Sequence, residues 1–131
     1  METLNDLPNF STPKLAEAVQ GLSTEDIDRL PFGVIGLDSS GVVRVFNKTE
    51  ARLSGRGDRL VHGLLFFVDI APCMDNGYFK GRIDRARAAG TLDIAFNFIG
   101  DFEDRAREIS VRAQSSSGGG IWIFHHRIGV E

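Results

Sequence analysis

Residues 63–73 read Gly63-Leu64-Leu65-Phe66-Phe67-Val68-Asp69-Ile70-Ala71-Pro72-Cys73, an apolar segment that ends on a proline and the chain's only cysteine. The apolar run is far shorter than the roughly 20 residues that span a membrane, and it predicts a buried connector between elements of one core. Pro72 has a fixed φ and no N–H, so it stiffens the backbone that carries the thiol. From the residues alone, Cys73 is either a small buried hydrophobe or a chemical handle at the mouth of a pocket.

Length and composition indicate one globular domain. The chain has 131 residues, of which 42% are hydrophobic and 25% are charged, and this suits a single core. The net charge of -3 offers no basic surface for nucleic acid, and no apolar run predicts a membrane partner. A lone cysteine cannot close an intramolecular disulfide, and the acidic N-terminus lacks a signal-peptide pattern, so we expect a cytoplasmic protein.

The pattern along the chain predicts an α+β fold. Residues 1–30 are interpreted as an N-terminal helical cap, because capping residues and helically spaced apolar residues recur there. Residues 31–131 are interpreted as the rest of a single domain, with a helix over 78–89. We expect a five-stranded antiparallel sheet with helices on one face and the connector over a ligand-sized cavity. The predicted strands are 33–37, 42–46, 92–98, 109–114 and 121–128, and 101–107 is a loop or a strongly twisted hairpin.

Several further residues could carry chemistry, and each also has an ordinary structural interpretation. Glu50 lies on a short helix that Asn47 can cap, and it is either an exposed helical carboxylate or a buried one that prefers its neutral form. Arg56 lies between two glycines and is either a surface charge or a lid over a pocket. Four phenylalanines are either core residues or the wall of a ligand site: Phe66, Phe67, Phe96 and Phe98.

The sequence does not indicate a metal site or an enzyme. His125 and His126 are adjacent, so on a strand they face opposite sides and cannot chelate one ion together. Cys73 has no nearby cysteine or histidine, as a structural zinc site would need. No arrangement of a nucleophile with a general base is visible along the chain, so we expect no catalytic activity.

Several segments together resemble the photoactive yellow proteins, a family of blue-light receptors in the PAS superfamily. The most specific segment is 63–73, and the resemblance spans about residues 13 to 128. It implies a PAS fold for the domain. The other matching segments are Pro31–Asp38, Phe46-Asn47…Glu50, Ser54-Gly55-Arg56, Ala88–Leu92 and Ile121–Phe124.

The resemblance implies a covalent pigment. Cys73 would carry 4-hydroxycinnamic (p-coumaric) acid as a thioester, with the thioester carbonyl bound by the Cys73 backbone N–H. Glu50 would be protonated in the dark and donate to the phenolate, while Ser54 supplies a hydroxyl and Arg56 a lid. The pigment site would further be lined by Phe66, Phe67 and Phe96.

The resemblance also implies a signal. Light would isomerise the pigment from trans to cis, a proton would pass from Glu50 to the phenolate, and the N-terminal cap would loosen by partial unfolding. The signal would then pass to a separate signalling protein that the sequence does not identify. A homodimer through the N-terminal helices is a further option.

The chain departs from the family around the expected pigment site. Phe46 stands where the family has a tyrosine that donates to the phenolate, so one strong donor is missing. Phe102 replaces a second tyrosine, and Asp104 stands in the late-strand loop where the family has a methionine. We therefore expect either a spectrally altered photoreceptor, or a related PAS module that lacks the pigment and senses another small ligand or a protein.

Overall fold

An antiparallel sheet organises the structure. The computed structural model describes residues 7–90, 92–102 and 104–127. The strands are β1 (Gly33–Leu37), β2 (Val43–Phe46), β3 (Asp93–Asp101), β4 (Asp104–Ser115) and β5 (Ile121–Arg127). They form a five-stranded sheet in the order β2-β1-β5-β4-β3, and every neighbouring pair is antiparallel. The predicted α+β class and sheet are confirmed.

Short helices and turns cover the sheet. The α-helices within the described ranges are α1 (Leu15–Gln20), α2 (Thr24–Arg29), α3 (Lys48–Leu53) and α4 (Lys80–Ala88). The connector between α3 and α4 contains a π-helical turn, Phe66–Ile70, and a 3-10 turn, Pro72–Met74. None of the described helices has both the length and the apolar character needed to cross a membrane.

Alternation along β5 gives the sheet two differently covered faces. Ile121 and Ile123 belong to the core under the connector and α4, and successive strand residues point to opposite sides. Trp122 and Phe124 belong to a second core under α1 and α2. The N-terminal helices therefore cover the face of the sheet opposite the connector.

The predicted element bounds differ from the structure by a few residues. The helix predicted over 78–89 is α4, and it starts at Lys80 because Phe79 has non-helical backbone angles, φ -122° and ψ -80°. The final strand was expected to end at residue 128, which lies outside the described residues.

The segment predicted as a loop or a twisted hairpin is a tight hairpin between β3 and β4. Asp101 pairs with Asp104 after a register shift in β3. Gly100 and Phe102 both have positive φ values, 127° and 58°. A left-handed backbone is uncommon for a residue other than glycine, so the hairpin holds Phe102 in a strained conformation.

Candidate ligand site at Cys73 and the ion cluster beside it

Cys73 lies in the 3-10 turn after Pro72 and is exposed, so its interpretation as a buried hydrophobe is wrong. Asn76 Nδ2 donates to the Cys73 carbonyl oxygen at 3.0 Å and fixes the end of this turn. Partial burial of the sulfur raises the pKa of the Cys73 thiol, and the negative charge of Asp101 acts in the same direction. The backbone N–H groups of Phe102 and Cys73 oppose this shift without overcoming it. The thiol therefore keeps its proton at neutral pH.

The smaller of two cavities beside Cys73 has a cationic lining. Its volume is about 380 Å³, within the range typical of small-molecule sites. Its described lining residues include three arginines and no acidic side chain. This lining favours a small ligand with an apolar body and an anionic group. The lining residues are Ser54, Arg56, Arg59, Ile70, Pro72, Cys73, Phe102 and Arg105.

The arginines of this cavity are only partly satisfied. Arg56 Nη2 donates to the Leu60 carbonyl oxygen at 3.1 Å, but Arg56 Nε is buried and has no hydrogen-bond partner in the described part of the chain. Arg59 donates to the carbonyl oxygens of Gly55 and Arg56. A buried donor without an acceptor costs free energy, and a ligand oxygen in the cavity would remove that cost.

The second cavity is a wider groove of about 620 Å³. Tyr78 and Ile99 line it while remaining 73% and 69% exposed, so the groove is open to solvent. Cys73, Phe102 and Arg105 line both cavities and separate them. The thiol thus stands at a boundary between an arginine-lined cavity and an open groove.

Glu50 is fully buried on α3, so its interpretation as an exposed helical carboxylate is wrong. Arg127 donates from Nη1 to Oε1 at 2.7 Å and from Nη2 to Oε2 at 3.1 Å. His125 Nδ1 lies 3.1 Å from Oε2, and since a carboxylate only accepts, Nδ1 is the donor. Burial alone raises the pKa of Glu50, but His125 and Arg127 outweigh it and lower this pKa to about 2.

Arg127 extends this arrangement to the β3–β4 hairpin. Its Nε and Nη2 donate to the two oxygens of Asp101 at 2.7 and 2.8 Å, and Arg107 Nη1 donates to Asp101 at 3.0 Å. Burial lowers the pKa of Arg127, but Glu50 and Asp101 raise it above its ordinary value. Glu50, Asp101, His125 and Arg127, hereafter the ion cluster, are all buried. His125 Nε2 is buried without a hydrogen-bond partner among the described residues.

Local sequence explains why Glu50 points into the core. Asn47 caps α3, as predicted, by accepting from the Glu50 backbone N–H at 3.0 Å. The Asn47 amide also holds β1, because its Oδ1 accepts from the Val34 N–H at 3.0 Å. Gly33 on β1 leaves room for the carboxylate, since a Cβ there would collide with Glu50 Oε1. The cap and the glycine together fix the glutamate side chain beneath the sheet.

The structure does not bring all the expected site residues together. Glu50 and Phe46 line neither cavity beside Cys73. The expectation that Glu50 is protonated and donates to a bound pigment stays a prediction. In the structure its carboxyl is paired with Arg127 and His125, and these partners lower its pKa to about 2. Phe46 is buried in the core without contributing to the cavity lining.

Four of the expected residues do meet at one place: Cys73, Ser54, Arg56 and Phe102 line the smaller cavity. Phe66 and Phe67 are buried core residues whose rings meet edge to face at 4.9 Å. Phe96 is half-buried against Phe79 and does not line either cavity beside Cys73. Asp104 is exposed and pairs with Arg107 at 3.2 Å, so it does not face the cavity as expected.

Sequence analysis missed the two most charged features of this region. Arg59 and Arg105 line the smaller cavity, and Arg127 and His125 hold Glu50. The alternation of residues along the final strand could have predicted that His125 and Arg127 are buried. Residues 121, 123, 125 and 127 share one side of the final strand, and the first two are isoleucines that face the core. A histidine and an arginine continuing that inward register require buried acidic partners.

The fold is shared with known sensor domains. No family model matches the chain. Among solved structures, the photoactive yellow protein domain of the sensor histidine kinase Ppr from Rhodospirillum centenum superposes with a TM-score of 0.77 and 37% identity, covering 86% of this chain and 99% of that domain. A PAS domain from Colwellia psychrerythraea gives a TM-score of 0.59 at 14% identity, over 79% of this chain and 92% of that one, a likeness of fold alone. The chain has a PAS fold.

Sequence relatives narrow the class. The photoactive yellow protein of Rhodothalassium salexigens is 32% identical over 124 residues, which cover 94% of this chain and 99% of the relative. The photoactive yellow protein of Halochromatium salexigens is 30% identical with the same coverage. The chain belongs to the photoactive yellow protein family, and the resemblance carried by residues 63–73 is confirmed.

Proposed function

We propose that this domain is a blue-light sensor that carries 4-hydroxycinnamic acid as a thioester on Cys73. The observation that carries the proposal is an exposed thiol at a cavity of about 380 Å³ with three arginines in its lining. Family membership supports the sensory role. The Cys73 segment, residues 63–73, supports the choice of ligand because it carries the most specific part of the resemblance.

The residues around the thiol fit such a group. Ile70 and Phe102 offer apolar contacts for an aromatic ring, and the arginines offer donors for its oxygen. The unpartnered Nε of Arg56 is the clearest mark of a missing acceptor. When bound, the group supplies absorption of visible light and a double bond that changes its isomer.

Hydrogen bonds connect the cavity to the N-terminal helices. Phe102, in the cavity wall, follows Asp101, which is bonded to Arg127 of the ion cluster. The cluster holds α3, and α3 is bonded to the segment around α2, where Thr49 Oγ1 donates to the Leu30 carbonyl oxygen at 2.6 Å. A displacement of Phe102 would therefore strain the contacts of the helical cap. Proton transfer from Glu50 is not part of this proposal, because Arg127 and His125 pair with its carboxyl and lower its pKa below the ordinary value.

A second candidate is a PAS module that senses a small ligand without covalent attachment. The observation that favours it is the loss of two expected donors, through Phe46 and the ion-paired Glu50. Cysteine hydrolase chemistry has less support, because the cavity lining described around Cys73 contains neither a histidine nor a carboxylate to act as base.

The partner is also a proposal. The related domain of Rhodospirillum centenum belongs to a sensor histidine kinase. We propose that this domain likewise passes its signal to a signalling protein, either as a separate molecule or as part of a longer chain.

The test is reconstitution of the purified apoprotein with an activated ester of 4-hydroxycinnamic acid, with Cys73→Ser as the matched control. We expect wild type alone to gain the mass of one hydroxycinnamoyl group and a visible band that bleaches in blue light and recovers in the dark. No mass gain, with a thiol that still reacts with a disulfide reagent, would refute covalent attachment. Binding of the free acid to wild type and Cys73→Ser alike would then favour the second candidate.

A further inference from the structure

We infer that an arginine subsite, formed by Arg56, Arg59 and Arg105 beside the Ser54 hydroxyl, holds the ionised oxygen of the ligand in place of Glu50. The inference rests on the proposed function, and it assigns the residues that set the ionisation of the ligand. It starts from the fact that the carboxyl group implied by the family resemblance is paired with Arg127 and His125 and lines neither cavity beside Cys73.

Three of the roughly four acceptor sites of the Glu50 carboxylate are occupied within the ion cluster. Oε1 accepts from Arg127, and Oε2 accepts from both Arg127 and His125. The side chain is 0% exposed and lines neither cavity beside Cys73. An ionised carboxylate is also the wrong partner for a phenolate, because two like charges repel. Phe46 supplies no hydroxyl in compensation.

Among the residues that the structure describes, no acidic side chain pairs with the arginines of this subsite. Arg59 donates only to backbone carbonyl oxygens, of Gly55 and Arg56. The Arg105 guanidinium makes no hydrogen bond or ion pair with residues in the described ranges. Arg56 Nε is buried and likewise has no hydrogen-bond partner among these residues. Three guanidinium groups around one cavity lower the free energy of an anion placed there.

The acidic residues described in the β3–β4 hairpin, Asp101 and Asp104, are paired with other arginines. Asp101 is bonded to Arg127 and Arg107, and Asp104 is paired with Arg107. Neither carboxylate lines the smaller cavity. The excess positive charge therefore acts on whatever group enters beside Cys73. Because Arg59 and Arg105 are exposed, part of their effect is screened by salt.

The ligand class follows from this lining. It is an aromatic acyl group whose far end carries an ionisable oxygen, held as an anion at neutral pH although a phenol ordinarily ionises near pH 10. A 4-methoxycinnamoyl group has the same body and no ionisable oxygen. It should therefore gain nothing from the arginines.

The first experiment needs no covalent loading. We would follow the ionisation of 4-nitrophenol by absorbance against pH in the presence of Cys73→Ser protein. We expect bound probe to ionise about tenfold more readily than free probe, a shift of about one pH unit, and we expect added salt to reduce the shift. In the Cys73→Ser background, the double variant Arg59→Gln/Arg105→Gln should lose most of the shift. Arg82→Gln, which lies in the open groove alone, should keep it.

The second experiment uses the reconstituted protein and compares the apparent pKa of the attached phenol among variants. We expect the double arginine variant to raise it by about one unit and Glu50→Gln to leave it unchanged while lowering the thermal stability. A shift in Glu50→Gln as large as in the arginine variants would overturn the inference. Unchanged ionisation of both probe and attached phenol in the arginine variants would overturn it as well. These arginines are exposed, so their replacement should preserve folding.

The two experiments separate the inference from the proposed function. Failure of covalent loading with a positive 4-nitrophenol shift would refute the pigment and retain the arginine subsite. Covalent loading and a light response that the arginine substitutions do not alter would retain the photoreceptor and refute the subsite.

Discussion

The Cys73 thiol is less acidic than that of a free cysteine, because partial burial and the charge of Asp101 both disfavour its thiolate. We predict that Cys73 reacts slowly with iodoacetamide at neutral pH and that its rate rises with pH to a midpoint above 9.0. The urea-unfolded chain, measured in the same way, is the control and should show a lower midpoint. A rate that has already reached its plateau at neutral pH would contradict the prediction.

Gly33 is the residue on which the position of Glu50 depends. A Cβ at this position would collide with Glu50 Oε1, so Gly33→Ala must either displace the carboxylate from Arg127 or shift β1. We predict a loss of about 3 kcal/mol in the free energy of unfolding, measured with urea. Gly77→Ala is the matched control, because a Cβ at Gly77 meets no atom within 4 Å. Equal stability of the two variants would contradict the prediction.

At single residues, features that depend on neighbours in the chain could be predicted from the sequence. Features that depend on residues distant in the chain could not. The Asn47 cap could be predicted because it depends on a helix start beside it, whereas the residues beside Cys73 left its burial open. The state of Glu50 could not, because its partners, His125 and Arg127, lie on β5. Without their charges, a buried carboxyl is expected to be neutral, which is the opposite of what the structure has.

Among the elements, α3 is hydrogen-bonded at its start both to the sheet and to the N-terminal helices. The Asn47 side chain at its start bonds the backbone of Val34 and Glu50 through Oδ1. Through Nδ2 it bonds the carbonyl oxygens of Ile27 and Phe32. One amide therefore joins α3 to β1 and to the end of the N-terminal helices.

We predict that Asn47→Ala lowers the free energy of unfolding by about 3 kcal/mol or more, because it leaves several buried polar groups unpaired. The control is Ser23→Ala, which removes the exposed cap of α2 and should cost about 1 kcal/mol. Both values come from urea unfolding at neutral pH. An Asn47→Ala loss no larger than that of Ser23→Ala would contradict the prediction.

The strands could be predicted from alternation, and their order could not. A period of two identifies β3, β4 and β5 because it arises within each strand. The central pairing of β1 with β5 joins opposite ends of the domain and leaves no local pattern. The smaller cavity could not be predicted from local pattern either, because its arginines come from two distant segments, the turn after α3 and the β3–β4 hairpin.

For the whole molecule, the ion cluster makes stability depend on acid. Glu50 has a folded-state pKa of about 2, below its ordinary value of 4.5. A depressed pKa contributes stability that is fully present above the unfolded value and is lost as pH falls toward the folded one. We predict a loss of about 3 kcal/mol from this group between pH 4.5 and about pH 2.

The measurement is urea unfolding across that pH range for wild type and for Glu50→Gln. The variant should be less stable at neutral pH, and its stability should fall less steeply in acid, because it has no carboxyl to titrate at this position. Moderate salt should change the wild-type slope little, since the pair is buried. Parallel slopes for the two proteins would contradict the assignment.

Strand β5 has a mechanical consequence for the molecule. Its odd-numbered residues end in the ion cluster, and its even-numbered residues form the floor beneath α1 and α2. From Ile121 to His125 the strand is bonded on both edges, and Arg127 follows directly, so a shift of the backbone at Arg127 would act on the segment that carries Phe124. In the proposed sensor, the input at Cys73 and the output at the N-terminal helices would therefore occupy opposite faces of a single sheet. A partner of that sensor would bind at the N-terminal helices, on the face opposite the thiol.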